Sequence, residues 1–132
     1  MDHKLKLMVV DDSPLFRTWL IRSLSEDDRF QVVGYAVNAL DAQEKIPLLQ
    51  PDMLTLDIEM PGMSGIDFLK QLLPVHPIPV ILVSSLNLRV FDALEAGAVD
   101  FVRKPDEANG LSKEIFLSML RSKLMVAAAS HV

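Results

Sequence analysis

The sequence of 132 residues contains no cysteine. Disulfides and thiolate metal sites are therefore excluded, and the composition is compatible with a reducing compartment. Cationic residues are in deficit: 13 Lys and Arg stand against 18 Asp and Glu, for a formal net charge of −5. A nucleic-acid-binding surface needs clustered cations to neutralise phosphates, so that class is not expected. Long apolar runs are missing as well. The run that follows Lys4 and Lys6 is too short for a signal-peptide core, and none reaches the length of a membrane span. The histidines His3, His76 and His131 lack metal-ligand spacing. No linker, repeat or low-complexity tract is evident. What is present is a domain-sized chain, 50% hydrophobic and 23% charged, a balance that suits a packed core. The expectation is one soluble, cytoplasmic domain over 1–132, with its core at about 4–127 and a tail or linker stump at 128–132.

Short apolar runs alternate with helical patterns along the chain. Leu5 to Val10 reads as a strand buried on both faces, stopped by Asp11-Asp12-Ser13-Pro14. Ser13 with Pro14 reads as an N-cap and first helical residue, followed by Leu15, Trp19, Ile21 and Leu24 near helical spacing. The unit then recurs. Phe30 to Ala36, Asp52 to Leu56, Ile78 to Val83 and Val99 to Val102 read as further strands. Helices are expected from Asn38, over Ile66 to Leu73, within Leu88 to Ala96, and from Leu111 to about Ala127. Pro47 should end or distort the second helix, and Gly97 should close the fourth. Five strands alternating with five helices predict a three-layer α/β fold, a doubly wound parallel sheet in flavodoxin-like order 2-1-3-4-5.

In such sheets ligands gather at the carboxyl ends of the strands. Those ends carry Asp11 and Asp12, then Asp57, then Ser84 and Ser85, then Lys104. Singly each is ordinary. Asp-Asp-Ser-Pro suits any helix start, Asp57 a turn, Ser84 a strand-end hydroxyl and Lys104 a solvated surface. Together they form a chemistry. Clustered carboxylates repel unless a cation lies among them, and an all-oxygen set suits Mg²⁺. One carboxylate can then serve as nucleophile toward a phosphoryl group, while a hydroxyl and a lysine hold the remaining oxygens.

The segments Met8 to Ser13, Leu56 to Gly65 and Val102 to Pro105 resemble the signatures of response-regulator receiver domains, over nearly the whole chain. The resemblance implies that Asp57 is the phosphoacceptor and that Asp11, Asp12, Asp57 and the carbonyl of Glu59 hold Mg²⁺. It further implies that Ser84 and Lys104 contact the phosphoryl group, that Ser84 and Phe101 act as a switch pair, and that the Lys104–Pro105 peptide is cis. The expected phosphodonor is a sensor histidine kinase. The expected output is a domain or protein docked on helix four, strand five and helix five, with neither nucleic acid nor membrane as partner.

Asp57 to Pro61, Val83 to Leu86 and Ala96 to Val102 resemble, more narrowly, the regulatory domain of chemotaxis protein-glutamate methylesterases. The chain has no room for the hydrolase domain such proteins carry. Gly62-Met63-Ser64-Gly65 fails the Gly-x-Ser-x-Gly pattern because Ile66 stands at the last position, and no Ser-His-Asp set is evident. A receiver that catalyses only its own phosphorylation and dephosphorylation is expected, as the regulatory piece of a methylesterase. The alternatives are a stand-alone receiver and a module that is never phosphorylated. Aspartyl phosphatases need Asp-x-Asp, whereas Asp11 and Asp12 are adjacent. The chain also looks shorter than methylesterase receivers around Asn87 to Asp92, which bears on the output face.

Overall fold

Parallel strands separated by helices dictate the architecture. The computed structural model describes residues 3–85, 89–106 and 112–130. Its elements run β1 (Leu5–Val10), α1 (Pro14–Ser25), β2 (Phe30–Ala36), α2 (Ala39–Leu49), β3 (Met53–Leu56), α3 (Gly65–Leu72), β4 (Val80–Ser84), α4 (Val90–Glu95), β5 (Asp100–Arg103) and α5 (Lys113–Ser130). The five strands form one sheet in the order β2-β1-β3-β4-β5, with all neighbours parallel. This is the expected doubly wound, flavodoxin-like order.

Strand alternation divides the core in two. Met8, Val10, Leu54, Leu56 and Leu82 face α2, α3 and α4, where they meet Ile46, Phe68, Leu69 and Ala93. Leu7, Val9, Met53, Ile81 and Val83 face α1 and α5, where they meet Leu20, Leu24, Phe116 and Leu120. Each fully buried side chain of this size contributes about 2 kcal/mol from apolar burial.

The helix starts follow capping chemistry. The Asn38 side chain accepts from the Asp41 N–H at 2.8 Å, while the Asp41 carboxylate accepts from Val37 N–H at 3.0 Å, two reciprocal bonds at the start of α2. Ser64 caps α3 by accepting from Asp67 N–H at 3.2 Å. Ser13 holds the cap position of α1 without a side-chain cap bond. Gly97 follows the C-cap of α4 with φ +118°, a conformation that excludes most side chains.

Pro47 and the end of the last helix depart from the sequence expectation. Pro47 neither ends nor breaks α2, which continues to Leu49 and closes on Gln50 at φ 49°. It lies in the last turn, so its missing N–H removes a single helical bond near the end. The last helix continues to Ser130 rather than Ala127. The described part of α4, Val90–Glu95, falls within the expected Leu88 to Ala96; of the segment around Asn87 to Asp92 where shortening was expected, residues 87 and 88 lie outside the described residues.

Asp27, after the C-terminal end of α1, ties that end to α5. Its carboxylate accepts from the Arg29 guanidinium at 2.7 Å, and Arg121 Nε lies 3.6 Å away. The Arg29 side-chain hydrogen bond leads in lowering the Asp27 pKa to about 2, against partial burial and helped by the Arg29 N–H and the Arg29 and Arg121 charges. A carboxyl whose folded pKa is depressed stabilises the fold above its unfolded value and loses that contribution as pH falls. Asp27→Asn should therefore cost about 1 kcal/mol at pH 7, allowing for solvent around Arg29. Urea melts of both proteins should converge as pH falls from about 4 to about 2. A constant gap across that window would refute the linkage.

Candidate functional site

The carboxyl ends of β1, β3 and β5 converge on one acidic pocket. Asp11 follows β1 and Asp57 follows β3; both are buried, with 2% and 5% of their surface exposed. Asp12 is exposed at the rim. Carboxylate oxygens of Asp11, Asp12 and Asp57 lie within 4.8 Å of one another. Backbone pairing fixes this geometry, since Asp57 N–H donates to Val10 carbonyl at 3.0 Å and Asp11 N–H to Ala36 carbonyl at 3.0 Å.

Lys104, just past β5, reaches into the cluster. Its Nζ lies 2.9 Å from Asp11 Oδ2 and 3.2 Å from Asp57 Oδ2. The Lys104 backbone N–H donates to the Ser84 carbonyl at 3.0 Å, so β4 and β5 jointly aim the side chain. Ser84 itself is buried at the end of β4 and pairs in register with Arg103. Asp57 Oδ1 accepts from the Glu59 N–H at 3.1 Å, and Asp11 Oδ1 accepts from Ser13 N–H at 2.8 Å. The acid that fixes the β1–α1 loop is therefore also one of the pocket carboxylates.

Burial leads in raising the Asp57 pKa to about 6; the Asp11 charge adds to the rise, while Lys104 and the Glu59 N–H oppose it. For Lys104, burial works against the ammonium. The Asp11 hydrogen bond and the charges of Asp57 and Asp11 outweigh burial and hold its pKa above the ordinary lysine value. One lysine side chain thus bridges Asp11 and Asp57. The pocket's donor set, hard carboxylate oxygens in close array, fits a small divalent cation of the Mg²⁺ type.

The sequence-predicted residues divide as follows. Asp11, Asp12, Asp57 and Lys104 come together, and Ser84 lies at the adjacent strand end. The Glu59 side chain is exposed and stands outside the carboxylate cluster; its backbone N–H is the part that engages Asp57. Phe101 is half-buried on β5, with Lys123 Nζ 5.2 Å from its ring centroid. The Lys104–Pro105 peptide is trans, which corrects the expected cis form. Trans is the default for prolyl bonds by about 0.5–1 kcal/mol, and from it Lys104 already reaches both carboxylates.

Two contributors were not legible as motifs. Arg17 Nη1 donates to the Asp11 carbonyl at 2.8 Å, with its guanidinium 4.7 Å above the Tyr35 ring centroid. Phe16 places its ring centroid 4.5 Å from Lys104 Nζ. Helical spacing was the available signal, because Phe16, Leu20 and Leu24 recur at intervals of four on the inner side of α1.

Residues 7–116 match the response regulator receiver domain family. The chain is 46% identical over 130 residues to protein-glutamate methylesterase/protein-glutamine glutaminase 2 of Syntrophomonas wolfei, covering 98% of this chain and 38% of that protein. It thus spans well under half the length of that relative. The response regulator domain of Thermotoga maritima CheB superposes with a TM-score of 0.87 at 35% identity, covering 98% of this chain and all of that one. The crystal structure of the P1 domain of CheA3 in complex with CheY6 from R. sphaeroides matches with a TM-score of 0.79 at 26% identity, over 96% of this chain and 98% of the matched chain. Among the described residues no helix is long and apolar enough to cross a membrane. The chain belongs to the response regulator receiver family, the phosphoacceptor signalling modules of two-component systems, and is of the CheB type.

Proposed function

We propose that Asp57 accepts a phosphoryl group from the phosphohistidine of a sensor histidine kinase, and that the resulting state regulates a methylesterase. The observation that carries this reading is the contact of one ammonium, Lys104, with two buried carboxylates at the ends of different strands. An Asp57 carboxyl of pKa about 6 is mostly ionised at neutral pH, as a nucleophile must be. Its oxygen attacks phosphorus as the phosphorus–nitrogen bond to the histidine breaks, and the imidazole leaves with the bonding pair. Lys104 moves from the carboxylate to a phosphoryl oxygen and neutralises charge where it develops. Asp11, Asp12, Asp57 and the Glu59 carbonyl would hold Mg²⁺, which supplies further neutralisation of the phosphoryl oxygens.

The donor assignment is supported by the similarity to the crystal structure of the P1 domain of CheA3 in complex with CheY6. For the output, Ser84 would approach the phosphoryl group and Phe101 turn inward, shifting the population of α4–β5–α5 arrangements. Phe91, Val99 and Ile115 give that face exposed apolar groups, at 79%, 52% and 52% exposure, for a partner domain or protein.

Incubation with Mg²⁺ and acetyl phosphate or phosphoramidate, followed by intact mass, tests the assignment. The expected result is one phosphoryl gained with Mg²⁺ and none in Asp57→Asn. No gain from any donor, with Mg²⁺ shown to bind, would make the chain a pseudo-receiver. In the same series, Ser84→Ala should blunt the shifts of α4 amides produced by a phosphate mimic; shifts equal to the parent's would sink the switch. Glu59→Ala should change Mg²⁺ affinity severalfold, since the side chain stands beside a loop that supplies a backbone ligand. An unchanged binding isotherm would assign Glu59 to solvent alone.

A further inference from the structure

We propose that Phe16 is a positioning residue for Lys104, and that the Phe16–Trp19–Phe116 cluster carries the position of that ammonium to α5. The inference deepens the phosphoryl-transfer reading and rests on it. Lys104 Nζ lies against Asp11 Oδ2, Asp57 Oδ2 and the face of Phe16, whose centroid is 4.5 Å away. An aromatic face attracts a cation but offers no lone pair to bind it. It therefore confines the ammonium without competing with the oxygens that the ammonium must serve. Lysine needs such confinement because its four-carbon stem is flexible and its ammonium is a compact point charge.

The ring itself is held. Phe16 and Trp19 lie 5.7 Å apart between centroids, Phe16 meets Phe116 edge-on at 5.9 Å, and Trp19 lies 6.0 Å from Phe116. Phe116 is fully buried on α5 and belongs to the core that α1 and α5 share. A shift of Lys104 toward a phosphoryl group would remove a cation from the Phe16 face, and the ring that adjusts packs against both Trp19 and Phe116. Trp19 is the sole tryptophan of the chain, so its emission reports this path. Lys113 Nζ, 5.2 Å from the Trp19 centroid, places a second α5 group on the same cluster.

The test compares the parent with Phe16→Leu, which keeps an apolar side chain but has no ring, and Phe16→Tyr, which keeps the ring. Without any phosphodonor, the Lys104 Hε resonances should show ring-current displacement in the parent and in Phe16→Tyr, and lose it in Phe16→Leu. With Mg²⁺ and acetyl phosphate at a temperature where all three are folded, phosphorylation should slow about fivefold in Phe16→Leu and stay within about twofold in Phe16→Tyr. The Trp19 emission change on phosphorylation should vanish in Phe16→Leu alone. Unchanged Lys104 resonances, or a parent-like rate and Trp19 response in Phe16→Leu, would overturn the proposal. A merely structural Phe16 would lower melting temperature and move none of these. A parent that takes no phosphoryl group overturns the acceptor assignment instead, because the resonance comparison needs no donor.

Discussion

Replacing Lys104 by methionine should slow phosphorylation of Asp57 by about two orders of magnitude, the usual effect of deleting one preorganised donor at a charge-developing site. The stem volume is nearly kept, so packing changes little. What is lost is the charge 2.9 Å from Asp11 and 3.2 Å from Asp57. Both carboxylates are buried, and an uncompensated charge in such surroundings is costly. Without divalent cations, Lys104→Met should therefore also lose about 2 kcal/mol of stability, below the usual range because the side chain is still partly exposed. Adding Asp57→Asn to that variant removes one of the repelling charges and should recover much of the loss. Denaturant melts of the parent, both single variants and the double variant supply the cycle. Additive changes would show that Lys104 and Asp57 are energetically independent and would undo the electrostatic account of the pocket.

The sheet was legible because its strands announce themselves. Runs such as Leu7 to Val10 and Val80 to Val83 are apolar without alternation, as strands covered on both faces must be. Handedness and layer rules limited the strand orders, and the simplest of them is the one found. Helix faces were less legible. Leu15 stands among the apolar positions of α1 near helical spacing yet is 88% exposed, while Phe16, Leu20 and Leu24 face the core. Ile115 likewise faces out while Phe116, Leu120 and Leu124 face in. A shift of one residue rotates a helix by about 100°, so short apolar patterns with neighbouring hydrophobics leave the face undecided.

The pocket was legible for a different reason. Its acids, hydroxyl and lysine occupy the ends of β1, β3, β4 and β5, neighbours in the sheet, and a parallel sheet brings all such ends to one rim. The groups that support it were not. Phe16 reaches Lys104, and Arg17 reaches the Asp11 carbonyl, only once α1 is docked on the sheet. The prolyl isomer of Lys104–Pro105 was beyond local reading too, because the two forms differ intrinsically by about 1 kcal/mol or less.

Gly65→Ala distinguishes a packing constraint from a helix propensity, because the two predict opposite signs. Gly65 is the first residue of α3, and alanine is the better helix former by up to about 1 kcal/mol. If propensity governed the position, the variant would be more stable. A Cβ at Gly65, however, would lie 2.8 Å from Ile58 Cα and 2.9 Å from the Asp57 carbonyl oxygen. These are backbone atoms of the loop that carries Asp57, held to Gly65 by the hydrogen bond from Gly65 N–H to Ile58 carbonyl at 2.9 Å. They cannot rotate aside as a side chain would, so either α3 or the Asp57 loop must move. The variant should lose about 2 kcal/mol, the typical cost of overpacking. Its Mg²⁺-dependent phosphorylation should fall as well, since a displaced Asp57 sits wrongly against Asp11 and Lys104, and reactions of this kind tolerate little misplacement. Denaturant melts and intact-mass time courses on the purified variant read both effects. Stabilisation, or lost stability with parent-like phosphorylation, would mean that α3 yields and that Gly65 does not set the position of Asp57.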